Sequence, residues 1–399
     1  MTPLEVASGK GCWVTTTDGD EYLDFAAGIA VNSTGHAHPH VAAAIAHQAT
    51  RFIHAQVNVY KHDLLEPLAA KLSELSPPGI DKLFFANSGA EITEASVKLA
   101  KQATKRPNII VFSGSFHGRT HMAMAMTTSK TGYRAGHSPL PAGVFMAPYP
   151  DPLVADQDAE VAKALKGLDH LLKSLTAPDE TAAMILEPVL GEGGYIPAPP
   201  AFMAGIVERC RKHGILFIAD EVQSGFGRTG AMFAVEHYGI EPDIICMAKG
   251  IASGFPFAAL GTTAALDAKW PKGSHGGTYG GNAIGCAAAL ATIELMSDPA
   301  FLQNVRDRGD QLREGLTELQ RHDSGLVDVR GLGLMIGTEF DDAARVAAIQ
   351  KHCLEEGRMI VMNAGTYATT LRWMPPLVVN EHEIEIGLAA FAAAMKATA

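Results

Sequence analysis

Ile215-Leu-Phe-Ile-Ala-Asp220-Glu221 is an apolar run that stops on two carboxylates. A second run, Asp243-Ile-Ile-Cys-Met-Ala-Lys249-Gly250, stops on one amine and a glycine. Unbroken apolar runs closed by polar residues read as strands buried on both faces of a parallel sheet. In an open α/β sheet, ligands sit beyond the carboxyl ends of the strands. Asp220 and Lys249 are therefore expected together at a site. A lysine taken singly is more often a solvated loop residue; the acid-ended run beside it gives this one a chemical meaning.

Outward from these runs the pattern alternates between helix and strand. Helices are expected over 64–75, 90–103 and 201–213, and strands over 81–86, 108–112, 183–188 and 257–263. An Ala-rich helix over 283–296 suits close packing on a sheet or against another subunit. Residues 1–60 read as irregular, with strand-like pieces at 11–14 and 22–25 and a helix over 41–54. Beyond 300 the character changes. A charged helix (301–321) leads to antiparallel strands (326–330, 334–340), a helix (342–356), two short strands (359–363, 370–374) and a last helix (381–396). Repeated β-α units followed by a small mixed tail predict an α/β fold. Its large, mostly parallel-sheet domain spans 61–299. A smaller α+β domain spans 300–399, and residues 1–60 contribute to it. The proline-bearing stretch 134–160 reads as a long surface loop.

Composition narrows the class. A chain of 399 residues is long for one core. With 47% hydrophobic and 19% charged residues it resembles an ordinary globular enzyme. A net charge of −11 argues against nucleic acid or an anionic membrane as partner. The five cysteines, Cys12, Cys210, Cys246, Cys286 and Cys353, are scattered and odd in number, which suggests a reducing compartment. Met1-Thr-Pro-Leu-Glu-Val lacks the pattern of an export signal, and no apolar run approaches membrane-spanning length. A cytoplasmic protein is expected.

Several short motifs carry chemistry. A strand-end lysine can bond an aldehyde cofactor, and a buried strand-end carboxylate can pair with a protonated ring nitrogen; pyridoxal phosphate chemistry needs both. Asn87-Ser88-Gly89-Ala90-Glu91 joins a strand to a helix, where Ser88 can cap and the first free N–H groups can cradle a phosphate. Its plainer reading is an ordinary capped helix. Ser113-Gly-Ser-Phe116-His117-Gly118-Arg119-Thr120 follows another strand. There Phe116 could stack on a planar ring and Arg119 could hold a carboxylate in bidentate fashion. Glu187-Pro-Val-Leu-Gly-Glu192-Gly-Gly carries two carboxylates. Glu192 could act as a general acid or neutralise an arginine; the second is preferred, because Arg372 has no other obvious partner. Gly276-Gly-Thr278-Tyr-Gly-Gly-Asn282 enters the Ala-rich helix, and Thr278 can donate to a phosphate oxygen.

Two patterns point elsewhere. Gly225-Phe-Gly227-Arg-Thr-Gly230 spells a dinucleotide fingerprint, the basis of an alternative NAD-dependent dehydrogenase. However, Gln223 and Ser224 separate it from the strand and no clean helix follows. Gly35-His36-Ala-His38-Pro-His40 could suggest a metal hydrolase, but carboxylate or cysteine ligands do not cluster beside it, so no metal is expected.

Taken together, the chain resembles the class III (ω-amino acid) aminotransferases, pyridoxal phosphate-dependent enzymes of fold type I. The markers are Gly-His-Ala-His-Pro (35–39), Asn-Ser-Gly-Ala-Glu (87–91), Phe-His-Gly-Arg-Thr (116–120), Glu-Pro-Val-x-Gly-Glu-Gly-Gly (187–194), Asp-Glu-Val-Gln-Ser-Gly-Phe-Gly-Arg-Thr-Gly (220–230), Ala-Lys-Gly (248–250) and Gly-Thr-Tyr-Gly-Gly-Asn (277–282). They occur in order from about Gly11 to the C-terminal helix. The resemblance implies that Lys249 bonds the cofactor and shuttles a proton, and that Asp220 keeps the ring nitrogen protonated. It implies that Gly89 and Ala90 bind phosphate through the backbone, with Ser88 and His117 among the cofactor contacts. Phe116 and Val222 would cover the two ring faces, Gln223 would bond the ring hydroxyl, and Glu187 would orient groups in the site. Thr278 would reach the cofactor of a neighbouring subunit, implying a homodimer. The substrates implied are an amino donor and a 2-oxo acid acceptor, 2-oxoglutarate being expected. Arg119 and Arg372 would bind a dicarboxylate, and Glu192 would cover Arg372 when the donor has one carboxylate.

Ile29 stands where ornithine aminotransferases resemble one another in carrying tyrosine, which counts against free ornithine. The spelling of 226–236 and 276–279 looks more like the 4-aminobutyrate branch. 4-Aminobutyrate is thus the expected donor, with acetylornithine or a broad range of ω-amino acids and amines as the alternative.

Overall fold

The computed structural model describes residues 2–399. Its centre is a seven-stranded sheet in the order Lys82–Ala86, Ala258–Thr262, Ile244–Met247, Leu216–Asp220, Thr181–Leu186, Asn108–Phe112, Val144–Ala147. Ala258–Thr262 runs antiparallel to both neighbours. The five strands from Ile244–Met247 to Val144–Ala147 are mutually parallel. The two runs that opened the sequence reading are adjacent, with Ile218 opposite Ile244 and Asp220 opposite Cys246. Every residue of Thr181–Leu186, Ile244–Met247 and Ala258–Thr262 is buried, which is why these strands, the terminal Thr181 and Thr262 apart, are apolar rather than alternating.

Helices cover both faces. Gly89–Thr104 packs over the strands on one side. Gln157–Ser174 and Pro200–His213 pack together on the other. The Ala-rich helix Ala283–Met296 is buried over most of its surface and lies against Pro39–Arg51. Its small side chains permit that close approach.

A four-stranded antiparallel sheet (Leu326–Leu332, Met335–Phe340, Thr370–Trp373, Met362–Ala364) follows, backed by Ala343–Glu355. The N-terminal strands Val6–Lys10, Trp13–Thr16 and Glu21–Asp24 form a separate sheet, completed by Met359–Ile360 in parallel with Glu21–Asp24. Chain start and chain end are thus knitted by backbone hydrogen bonds.

Three expectations need correction. The stretch 134–160 is not a loop throughout: Val144–Ala147 is the edge strand of the large sheet, and Gln157–Ser174 begins inside it. Its four residues, Val-Phe-Met-Ala, are apolar, but they are few and sit between glycine and proline residues that read as loop. The single strand expected over 359–363 is two, divided at Val361 and assigned to different sheets. Helix His121–Met126 has no counterpart in the sequence reading. Among the described residues no single helix is long and apolar enough to cross a membrane.

Candidate active site

The parallel strands all deliver their carboxyl ends to one side. Beyond Ala86 come Ser88 and Gly89; beyond Phe112, the turn to Arg119; beyond Leu186, Glu187; Asp220 is itself a last strand residue; and Lys249 lies two residues past Met247. These segments enclose a cavity of about 510 Å³, lined among others by Gly89, Phe116, Asp220, Val222, Gln223 and Lys249. Ser88, Ala90, His117, Arg119 and Glu187 also line it. Gly254–Phe257, the segment leading into the antiparallel strand Ala258–Thr262, completes the wall.

Lys249 occupies the left-handed backbone region, at φ 47°. For a residue with a side chain this is uncommon and commonly marks a constrained functional position. Its side chain is largely buried and lines the cavity. Burial lowers its pKa to about 8, against the opposing pull of Glu192, Glu187 and Asp220.

Asp220 is buried, and one oxygen meets His117 Nδ1 at 2.7 Å while the other accepts from the Val222 N–H at 3.1 Å. His117 is itself positioned by Thr127 Oγ1, which accepts from its N–H at 3.0 Å, and by Thr93 Oγ1, which donates to its carbonyl at 2.7 Å. Glu221 follows Asp220 in sequence and shares none of this. It turns away to accept from Val235 N–H at 2.8 Å and Ser224 Oγ at 2.5 Å, and burial raises its pKa to about 7. Glu187 accepts from the Phe116 and Gly191 N–H groups at 2.8 and 3.0 Å. Burial raises Glu187 to about 7, with Asp220 adding to the rise and His117 opposing it.

At the other end of the cavity Ser88 caps helix Gly89–Thr104, its Oγ accepting from Glu91 N–H at 3.3 Å. Gly89 and Ala90 then present the start of a helix to the cavity, where free N–H groups and the helix dipole favour an anion. The chain crosses itself closely here. A Cβ on Gly118, at φ +127°, would lie 2.7 Å from Ala90 Cβ.

Four expected residues stand outside the cavity wall. Glu192 and Arg372 form a buried ion pair through Glu192 Oε1 and Arg372 Nη1. Against the cost of burial, Arg372 and hydrogen bonds from Tyr133 and Arg372 hold the Glu192 carboxyl below its usual range. Ile29 lies at φ 68° in the turn 26–30, which Asp24 Oδ1 anchors by accepting from Ala26 and Ala27 N–H. Thr278 is exposed in the loop before Ala283–Met296.

The sequence reading missed Tyr133. Its hydroxyl donates to Glu192 Oε2 at 2.9 Å, and the Arg119 guanidinium lies over its ring at 4.8 Å. Nothing periodic marks residues 127–135; the usable signal was an aromatic residue in a loop leaving the Arg119 motif.

The histidine run has structural partners. His36 Nε2 bonds Asp24 Oδ2 at 2.8 Å, His38 caps Pro39–Arg51, and His40 meets Glu294. The glycine-rich run 225–230 leads into a short 3-10 turn rather than a long helix, and its Arg228 donates to the Leu334 and Pro375 carbonyls at 3.0 and 2.6 Å. It serves as a buried tie to the C-terminal sheet, not a dinucleotide cradle.

The residues present fit pyridoxal phosphate. Among the described residues Gln223 Oε1 and His117 Nε2 are buried without a hydrogen-bond partner, and both residues line the cavity that also takes in the helix start at Gly89 and Lys249. Fold and site together define a pyridoxal phosphate-dependent transaminase. The class III aminotransferase family model matches residues 1–395, and the chain belongs to that family. It is 40% identical to a 5-aminovalerate aminotransferase of Pseudomonas putida, covering 97% of this chain and 92% of that one. It is 39% identical to a 4-aminobutyrate aminotransferase of Escherichia coli, with 97% and 92% covered. It is 41% identical to an acetylornithine aminotransferase of Methanothermobacter thermautotrophicus, with 96% and 91% covered. Among solved structures it matches an ornithine aminotransferase of Toxoplasma gondii described with partial occupancy of PLP. That match has a TM-score of 0.89 at 27% identity over 100% of this chain and 91% of that one.

Proposed function

We propose that the protein transfers the amino group of an ω-amino acid, 4-aminobutyrate, to 2-oxoglutarate, giving succinate semialdehyde and glutamate. The observation that carries this reading is the arrangement of the two arginines: Arg372 is covered by Glu192, while Arg119 faces the cavity. A donor with one carboxylate needs one cation, and a second uncovered arginine would compete for it. A dicarboxylate acceptor needs both, so Glu192 must leave Arg372 when that substrate enters.

Bound pyridoxal phosphate supplies an aldehyde for the amino group and a ring that takes up electrons. Gly89 and Ala90 would hold its phosphate through backbone N–H groups, with Ser88 keeping that helix start in place. Phe116 and Val222 would cover the ring, and Gln223 would meet the ring hydroxyl. Asp220, oriented by His117, would keep the ring nitrogen protonated. Lys249 would anchor the cofactor, and its Nζ would take and return a proton in the cavity. Its pKa near 8 suits both giving and taking a proton close to neutrality. Glu187 fixes the Phe116 turn, and Ile29 bounds the substrate entrance.

The active unit is a cytoplasmic homodimer in which Thr278 reaches the phosphate of the partner's cofactor. Exposed Thr278 and Tyr279, with Ile53, Val59 and Tyr60 exposed nearby and His54 against Tyr279 at 5.1 Å, support an interface there. The large unit spans 61–299, and 1–60 joins 300–399 in the smaller one.

Acetylornithine is the second reading, supported by the relative at 41% identity and by apolar Ile29. Glutamate formation from 2-oxoglutarate should be measured with 4-aminobutyrate, 5-aminovalerate, acetylornithine and ornithine as donors. The 4-aminobutyrate assignment is abandoned if acetylornithine turns over much faster.

A further inference from the structure

Tyr133 sits where both cationic subsites can be reached by one side chain. It ends the short turn Thr131–Tyr133, in the loop after helix His121–Met126. Its hydroxyl donates to Glu192 Oε2 at 2.9 Å, and the other oxygen of that carboxylate is taken by Arg372. Its ring meets Phe116 edge-on at 5.1 Å and carries the Arg119 guanidinium on its face at 4.8 Å. The loop's other charged member here, Lys130, is half-buried and has Glu192 and Arg372 as its charged neighbours.

We infer that Tyr133 is a specificity-determining residue: by hydrogen-bonding Glu192 it holds that carboxylate on Arg372, and so sets the preference for donors with one carboxylate over dicarboxylates. The inference rests on the proposed Glu192–Arg372 switch and names what governs its position. Glu192 is gripped at both oxygens. To uncover Arg372 it must break an ion pair and a hydrogen bond, both in a largely buried place where neither is replaced cheaply by water. The arginine contact beneath uses only the ring, so the two contacts can be removed separately.

Tyr133→Phe keeps the ring, the Phe116 contact and the arginine stack, and deletes the bond to Glu192. The two half-reactions are read in single turnover from the cofactor's absorbance change, one with 4-aminobutyrate and one with glutamate. The ratio of kcat/KM for 4-aminobutyrate to that for glutamate should fall about tenfold, the usual effect of one hydrogen bond to a charged group. The donor constant should carry the fall, while the glutamate constant holds or rises. A merely structural tyrosine would slow both half-reactions alike, leaving the ratio in place.

Glu192→Ala provides the second arm. It should lower the same ratio, and adding Tyr133→Phe to it should change nothing further, because the hydroxyl acts through Glu192. An unchanged ratio in Tyr133→Phe with a lowered one in Glu192→Ala overturns the role of Tyr133 and leaves the switch standing. Full additivity of the two substitutions overturns it as well. An unchanged ratio in Glu192→Ala removes the switch and this inference together.

Discussion

Keeping a lysine ready for chemistry should destabilise the cofactor-free protein, and the size of that cost follows from the site. The Lys249 amine is enclosed, and burial moves its pKa from the ordinary 10.5 to about 8. Each tenfold displacement of a proton equilibrium is worth about 1.4 kcal/mol, so at neutral pH the buried ammonium opposes folding by about 3 kcal/mol. Lys249→Met has similar length and no charge, and should stabilise the cofactor-free protein by up to that amount. The sign with pH is specific. Below pH 8 both folded and unfolded wild type carry the proton, and the full cost applies. Between about 8 and 10.5 the unfolded chain still binds a proton that the folded chain has released, so wild-type stability rises with pH. Above 10.5 neither state is charged and the advantage of methionine is gone. Urea unfolding of both proteins without cofactor, at pH 7 and again near pH 10, measures this. A gain equal at the two pH values would refute the reasoning, because ordinary packing gains do not titrate. No gain at pH 7 would show that the amine is solvated in the folded protein.

Other consequences are open to direct measurement. Asp220→Asn removes a charge that meets His117 at 2.7 Å and would keep the ring nitrogen protonated; turnover should drop about a hundredfold or more, the usual loss when one preorganised electrostatic stabiliser is removed, and cofactor absorbance should shift with it. Gly118→Ala should weaken pyridoxal phosphate binding about tenfold or more by equilibrium dialysis, because the new methyl meets Ala90 at 2.7 Å and its φ of +127° disfavours any side chain. Glu221, raised to about 7 by burial, binds a proton in the folded state that the unfolded state has lost. Its contribution therefore falls as pH climbs from about 4.5 to about 7, and Glu221→Gln should flatten that part of the stability curve.

Much of the fold was legible because burial on both faces leaves a plain mark. Leu216–Asp220 and Ile244–Met247 read as strands from composition alone, and their pairing puts Asp220 opposite Cys246, three residues before Lys249. The edge strand Val144–Ala147 is equally apolar, but it is only four residues long with Met146 exposed, and the prolines and glycines around it masked it. The run 359–363 read as one strand because periodicity cannot register that Val361 is where the chain passes between two sheets.

Sequence by itself determined the class of chemistry: an amine and an acid ending adjacent apolar runs, with glycine-bearing strand-to-helix turns to hold an anion. It could name Glu192 as a partner for Arg372, since opposite charges near one site seek each other. The family resemblance singled out Asp220 from the two consecutive acids; the physical reason for their separation lies in the tertiary structure. Asp220 points in to His117, while Glu221 is taken up by Ser224 and Val235. Only it brought Tyr133 to Glu192 and Arg119. Strand and helix patterns record how each segment meets solvent, and carry no register between side chains that lie far apart along the chain. Those meetings are fixed by packing of the assembled sheet, which sequence periodicity does not contain.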